Sequence, residues 1–458
     1  MHIVRHKVYA ENILIGSDWQ TEVTLTIDNG IITSISSGKE EDAVALNGPV
    51  IPGMINCHSH AFQRAFAGFS EYRGNTEDSF WSWRDIMYKF VAKMSPEDAH
   101  VVAKFVYIEM LKAGYTSVGE FHYLHHQANG VKYDDPAEMS HQVIMAADEV
   151  GISITHLPVL YTYAGFGKKD PSKEQSRFIH STQDYLELVN QLNKNYSNRS
   201  NFKLGIAPHS LRAVSREQLN EIIPFIRQLN PKAPIHIHIA EQLKEVDDCL
   251  VFYKQRPVEW LLNNFEMDEH WCLIHATHLT EQEIKNTANS GAVVGICPLT
   301  EANLGDGIFP TAEFSKFGGK FAIGSDSHIG INVAEELRLL EYAQRLIKHQ
   351  RAVMVDDNCK SVGQYIFTKT CKDGASSLNQ NAGEIAVGRD ANFLVLDENE
   401  PSLFSKKDSF ILDASIFACN QLPVKDVYVA GEKVIENGHH RLQEEAKKQY
   451  RKVLKKLI

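Results

Sequence analysis

Five histidine and carboxylate positions in this 458-residue chain have the type and spacing of a metal centre. The apolar run from Val50 ends in His58-Ser59-His60. In a strand, residues two apart face the same side, so His58 and His60 can offer two nitrogens to one divalent cation. Pro234-Ile235-His236-Ile237-His238-Ile239-Ala240-Glu241 carries two more histidines on a shared face. His238 lies nearer the end of that run and reads as the third imidazole, while His236 reads as an interior or supporting residue. In Leu273-Ile274-His275-Ala276-Thr277-His278, His275 sits within the apolar run and is preferred over His278. Asp326 follows the buried run Ala322-Ile323-Gly324-Ser325, where a carboxylate is retained if it binds a cation. His328 is expected in the loop beyond it.

Three imidazoles and one carboxylate suit one zinc ion, with a water completing the shell. Zinc lowers the pKa of a bound water from about 16 to roughly 7. Glu241, three residues past His238, can lean over the metal without ligating it, a position suited to proton transfer. Taken singly, each residue has a plainer explanation: a chance histidine at a strand end, a solvated loop acid. Their shared place at the C-terminal ends of strands argues against chance.

Those strands are expected at the run ending in His60, then at 116–123, 152–161, 202–209, 234–241, 271–278, 292–297 and 321–326. Helices over 96–113, 136–150, 216–229 and 280–290 separate several of them. Eight strands alternating with helices predict an α/β fold, a (β/α)8 TIM-like barrel. An open doubly wound sheet is the competing arrangement, but no GxGxxG follows an early strand. Alternating strand texture at both ends of the chain predicts a small β-sandwich module formed by residues 1–48 and 376–438. The barrel then spans 49–375, and 439–458 form a charged C-terminal helix.

Bulk properties narrow the class. Hydrophobic residues make up 43% and charged residues 23%, as in an ordinary globular enzyme. A net charge of −11 argues against nucleic acid as a partner. The N-terminus lacks the apolar core of a signal peptide, and no apolar run reaches membrane-spanning length. Seven scattered cysteines without CxxC pairs fit a reduced, cytoplasmic protein.

The assembly of His-x-His, His238, His275 and Asp326 on eight strands resembles the metal-dependent amidohydrolase superfamily. Lys203 lies at the opening end of the fourth strand, too far to bridge two metals. With the His238-x-x-Glu241 spacing, this resembles the mononuclear deaminase branch. Finer motifs are His58-Ser59-His60-Ala61-Phe62-Gln63-Arg64, Phe80-Trp81-Ser82-Trp83-Arg84, Phe121-His122-Tyr123, Ala207-Pro208-His209-Ser210-Leu211-Arg212 and His238-Ile239-Ala240-Glu241-Gln242. Together they resemble the N-formimino-L-glutamate deiminases of histidine degradation over essentially the whole chain.

The resemblance implies hydrolysis of a formimino group, giving N-formyl-L-glutamate and ammonia. Glu241, His275 and Asp326 would then be catalytic, with His58, His60, His238 and Asp326 on one zinc ion or another divalent transition metal. The implied substrate carries two carboxylates, which Arg84 and Arg212 are suited to grip bidentately. By the same resemblance Gln63, Tyr123 and His209 join them as substrate contacts, and a homodimer is expected. Trp81 and Trp83 read as pocket walls, and 298–309 as a candidate closing loop. The rivals are a deaminase of another amidine or aminated ring of guanine or adenosyl type, an amidase, and a metal-free scaffold. The two arginines favour the small diacid over a ring.

Overall fold

The computed structural model of the chain describes residues 5–71 and 80–458. Strands β1 (Arg5–Ile15), β2 (Asp18–Asp28) and β3 (Ile31–Ser37) form an antiparallel meander. The short β4 (Val44–Leu46) and β5 (Val50–Pro52) pair in parallel with β1. Val8 and Ala10, and Val23, Leu25 and Ile27, recur at the two-residue period of a strand and bury one face in a core of its own.

Past Gly53 the pattern changes. β6 (Met54–Ser59), β7 (Tyr115–His122) and β8 (Ser153–Leu160) are buried at every position, as parallel strands covered on both faces must be. The helix Pro96–Ala113 joins β6 to β7. The Ser95 side chain caps it by accepting from the Asp98 amide, proline occupies its first turn, and left-handed Gly114 ends it.

The fourth strand position is split into β9 (Phe202–Leu204) and β10 (Ala207–Pro208), both paired with β8. The break falls at Gly205, where a Cβ would stand 2.5 Å from the Pro234 carbonyl oxygen. β11 (Ile235–Ile239), β12 (Trp271–His275), β13 (Val293–Ile296) and β14 (Lys320–Ile323) follow in parallel order. Bridges from Ile206 to Ile235 and from Ser59 to Asp326 join the two arcs into a ring, which excludes the open sheet.

The helix Val362–Ser377 closes the N-terminal mouth of that ring. Its last turn and Leu378 accept hydrogen bonds from His236 Nε2 at 2.8 Å and Thr155 Oγ1 at 2.8 Å. His236 is therefore an interior residue at the end remote from His238's partners. β15 (Phe393–Leu396), β16 (Val424–Val429) and β17 (Glu432–Ile435) then return to the first strands. They complete one eight-stranded sheet in the order β17-β16-β15-β5-β1-β2-β3, with β4 beside β1. Both chain ends thus share a sheet, which also takes in Val50–Pro52. The final helix, Gln443–Leu457, lies along Pro96–Ala113, with Tyr450 stacked on Phe105 at 4.2 Å. Among the described residues no helix is long and apolar enough to cross a membrane, and the seven cysteines are all free.

Candidate active site

The strand ends converge on one point. His58 lies near the end of β6 and His60 follows it; His238 is on β11 and His275 ends β12. Asp326 lies just beyond β14, where Gly324 allows close approach: a Cβ there would stand 2.8 Å from His58 Cβ. Ala240, His275, Ala276, Asp326 and His328 all adopt positive φ, between 45° and 68°. Left-handed non-glycine residues cost on the order of 1–3 kcal/mol each and cluster where a fold aims side chains.

His58 Nε2 is 3.1 Å from His60 Nε2 and 3.0 Å from His238 Nε2. Asp326 Oδ1 stands 3.3 Å from His60 Nε2 and 3.6 Å from His58 Nε2. Two of the rings have their tautomers fixed by carbonyls. His60 Nδ1 donates to the Phe121 carbonyl at 2.7 Å, and His238 Nδ1 to that of His209 at 3.2 Å. A carbonyl only accepts, so each ring carries its proton on Nδ1 and turns an Nε2 lone pair inward. Burial disfavours protonating these rings, lowering His58 and His238 well below the usual imidazole range and His60 to about 3. His58 Nε2 therefore stands within 3.1 Å of two inward lone pairs and beside a carboxylate oxygen, an arrangement of donors that a cation between them would satisfy. The donor set fits a divalent metal that favours nitrogen and oxygen ligands, such as zinc.

His275 stands apart from that set. Its Nε2 lies 3.8 Å from Asp326 Oδ2 and 3.8 Å from Glu241 Oε1, and its Nδ1 lies 3.1 Å from Glu301 Oε1. Burial opposes a charge on this ring, but Glu241, the Glu301 hydrogen bond and Asp326 outweigh it and raise its pKa to about 10. Burial also pushes Asp326 up to about 7, against the pull of His275. His275 Nε2 thus faces two carboxylates, Glu241 and Asp326, within one small volume.

A single cavity is lined by every site residue that the sequence singles out except His58, which is fully buried. Arg84 and Arg212 line it together with His60, His238, His275 and Asp326. Gln63 Nε2 donates to Tyr123 Oη at 2.7 Å, and the Arg84 guanidinium lies 5.6 Å from the Tyr88 ring centre. Trp83 lines the same cavity, whereas the side chain of Trp81 lies outside the described residues. Much of the segment read as a closing loop is helical, over Pro298–Leu304.

His328 lies in the loop beyond β14, as expected, but that loop is folded inward and the residue is fully buried. Its Nε2 is 3.0 Å from Ser59 Oγ and its Nδ1 3.0 Å from Ser325 Oγ. Left-handed turns at Asp326 and His328 fold the chain back beneath the metal-type cluster, which an apolar run in sequence does not foretell. Glu120 and Glu301 were also missed. Glu120 accepts from Ser59 Oγ at 2.6 Å, the Ala61 amide at 2.8 Å and Tyr107 Oη at 3.1 Å. A carboxylate within an otherwise uncharged buried strand was the available signal for it.

Residues 50–434 match the amidohydrolase family. Over 453 residues the chain is 45% identical to formimidoylglutamate deiminase of Pseudomonas aeruginosa, covering 98% of this chain and 99% of that one. An amidohydrolase from Brucella melitensis superposes with a TM-score of 0.94 at 43% identity, over 99% of both chains. An adenosine deaminase from Xanthomonas campestris, crystallised with zinc, shares the fold at a TM-score of 0.80 and 19% identity over 98% of both chains.

Proposed function

Because this chain belongs to the amidohydrolase family, we propose that it hydrolyses the formimino group of N-formimino-L-glutamate. A water oxygen joins the formimino carbon, the bond from that carbon to the terminal nitrogen breaks, and N-formyl-L-glutamate and ammonia leave. Full-length kinship to a deiminase of that name supports the reading. The observation that carries it is one cavity lined both by the His60, His238 and Asp326 cluster and by two guanidinium groups, Arg84 and Arg212. A protein of net charge −11 must supply positive charge locally to hold a dicarboxylate.

His58, His60, His238 and Asp326 would hold one zinc ion, which when bound supplies a Lewis acid that makes water nucleophilic at neutral pH. Arg84 and Arg212 bind the two carboxylates, and Gln63, Tyr123 and His209 fix the chain between them. Asp326 accepts the proton lost by the attacking water. Glu241 delivers a proton to the departing nitrogen, since ammonia leaves well only when protonated. His275 donates a hydrogen bond from Nε2 to the charge that develops at the attacked carbon.

We also assign residues 1–48 and 376–438 to a β-sandwich module flanking the barrel of 49–375, whose leading strand Val50–Pro52 pairs with the module's sheet, with 439–458 as an added helix. We take the active form to be a homodimer in the cytoplasm.

Isotope tracing tests the bond that is broken. In H2(18)O the reaction should give one labelled formyl oxygen and one ammonia per substrate consumed. Release of glutamate and formamide would mean that the other carbon–nitrogen bond is cut.

A further inference from the structure

We propose that Glu301 is a positioning residue for this reaction, acting through His275; the inference rests on the deiminase reading and adds a residue that the strand-end motifs do not carry. Glu301 sits in the short helix Pro298–Leu304 that follows β13, and only 4% of its surface is exposed. Its Oε1 accepts from His275 Nδ1 at 3.1 Å and from the Cys297 amide at 2.8 Å. The neighbouring Thr300 Oγ1 meets Ser327 Oγ at 3.0 Å, tying the same turn to the segment that carries Asp326. One carboxylate oxygen thus joins the His275 ring to the backbone at Cys297.

His275 needs such an anchor. It ends β12 with φ of 68°, and Ala276 follows with φ of 48°, so strand geometry does not set the direction of its ring. A carboxylate only accepts hydrogen bonds, so Glu301 holds one ring proton on Nδ1 and leaves Nε2 as the nitrogen that donates at the reacting centre. The other nitrogen is then aimed between Glu241 Oε1 and Asp326 Oδ2, both 3.8 Å away. Those are the two groups that handle protons in the proposed reaction. Without Glu301 the ring can turn over and offer the wrong nitrogen. Glu301 itself lies behind the ring, where with Ile296, Pro298 and Ala302 it lines a groove on the outer side. It therefore works through His275 and does not touch substrate.

The test uses the full-length, zinc-loaded protein and the variants Glu301→Gln and Glu301→Ala, each alone and combined with His275→Asn. A positioning role predicts a fall in kcat on the order of 10–100-fold for Glu301→Ala. KM and zinc content should stay near those of the parent. In the His275→Asn background the same change should cause no further loss, because the ring it positions is gone. Long-range 1H–15N spectra of histidine-labelled protein should show the His275 resonances altered in Glu301→Gln and the other site histidines in place. Parental kcat in Glu301→Ala, or an equal loss with and without His275, overturns the proposal while leaving the deiminase reading intact. Should the parent release no ammonia from the formimino acid, that reading fails, and the spectra alone decide Glu301: unchanged His275 resonances overturn its role.

Discussion

Ser59 Oγ and His328 Nε2 meet at 3.0 Å, joining the residue between His58 and His60 to the segment that carries Asp326. The hydroxyl donates to Glu120 at 2.6 Å, so the imidazole must donate to the hydroxyl. On its other side His328 reaches Ser325, whose Oγ accepts from Asn56 Nδ2 at 2.6 Å and whose amide donates to Asn56 Oδ1 at 3.0 Å. Glu120, Ser59, His328, Ser325 and Asn56 thus form one buried chain of hydrogen bonds. It fixes the spacing of the two segments on which three of the proposed metal ligands lie.

Breaking that chain should loosen the metal before it unfolds the barrel. Ser59→Ala removes the link to both Glu120 and His328. Zinc affinity, measured by chelator competition, is expected to fall on the order of 10–100-fold with the far-ultraviolet spectrum unchanged. Undiminished affinity would mean that the ligands hold their geometry without this support.

Arg212→Ala should lower kcat/KM for the formimino diacid by about 100-fold, the ~2–3 kcal/mol of a charged hydrogen-bonded pair. Zinc content should not change. An unaltered kcat/KM would remove Arg212 from substrate binding.

Glu241→Gln keeps the side chain's size but cannot carry a proton. We expect kcat to drop roughly 10²–10⁴-fold with zinc still bound. Near-normal turnover in the zinc-loaded variant would assign the proton transfer elsewhere.

Glu336 offers a prediction about stability away from the chemistry. It is fully buried in the helix Val333–Lys348, and its Oε2 accepts from the Leu299 amide at 2.9 Å. Burial pushes its carboxyl well above the ordinary value of 4.5. The folded protein therefore keeps a proton that the unfolded chain gives up, and this group's contribution to stability is lost as pH rises above 4.5. Glu336→Gln retains the acceptor without the ionisable proton. It should raise Tm at pH 8 more than at pH 5, by an amount corresponding to about 1–3 kcal/mol. An equal Tm change at both pH values would show that Glu336 does not titrate with folding.

Local physics made much of the fold readable in advance. The helices Pro96–Ala113 and Arg216–Leu229 run over the residues expected for them, because a capping serine marks the start of each. All eight barrel strand positions were visible as apolar runs. The split at Gly205 was not, since it arises from the Pro234 backbone pressing on it from the next strand. In the site, the motif residues gather on one cavity because strand ends converge. What escaped was the supporting layer. His328, Glu120 and Glu301 each depend on one partner far off in sequence (Ser59 for the first two, His275 for the third), 269, 61 and 26 residues away, and no local pattern records such pairings.

The central claim is that a metal-type centre and two arginines in one cavity serve a small acidic amidine. The most direct measurement compares kcat/KM of the zinc-loaded protein for N-formimino-L-glutamate, N-formimino-L-aspartate, guanine and 5′-methylthioadenosine, followed by ammonia release. The account predicts rapid release from the glutamate derivative, much slower release from the shorter aspartate one and none from the rings. Preference for either ring substrate would contradict it.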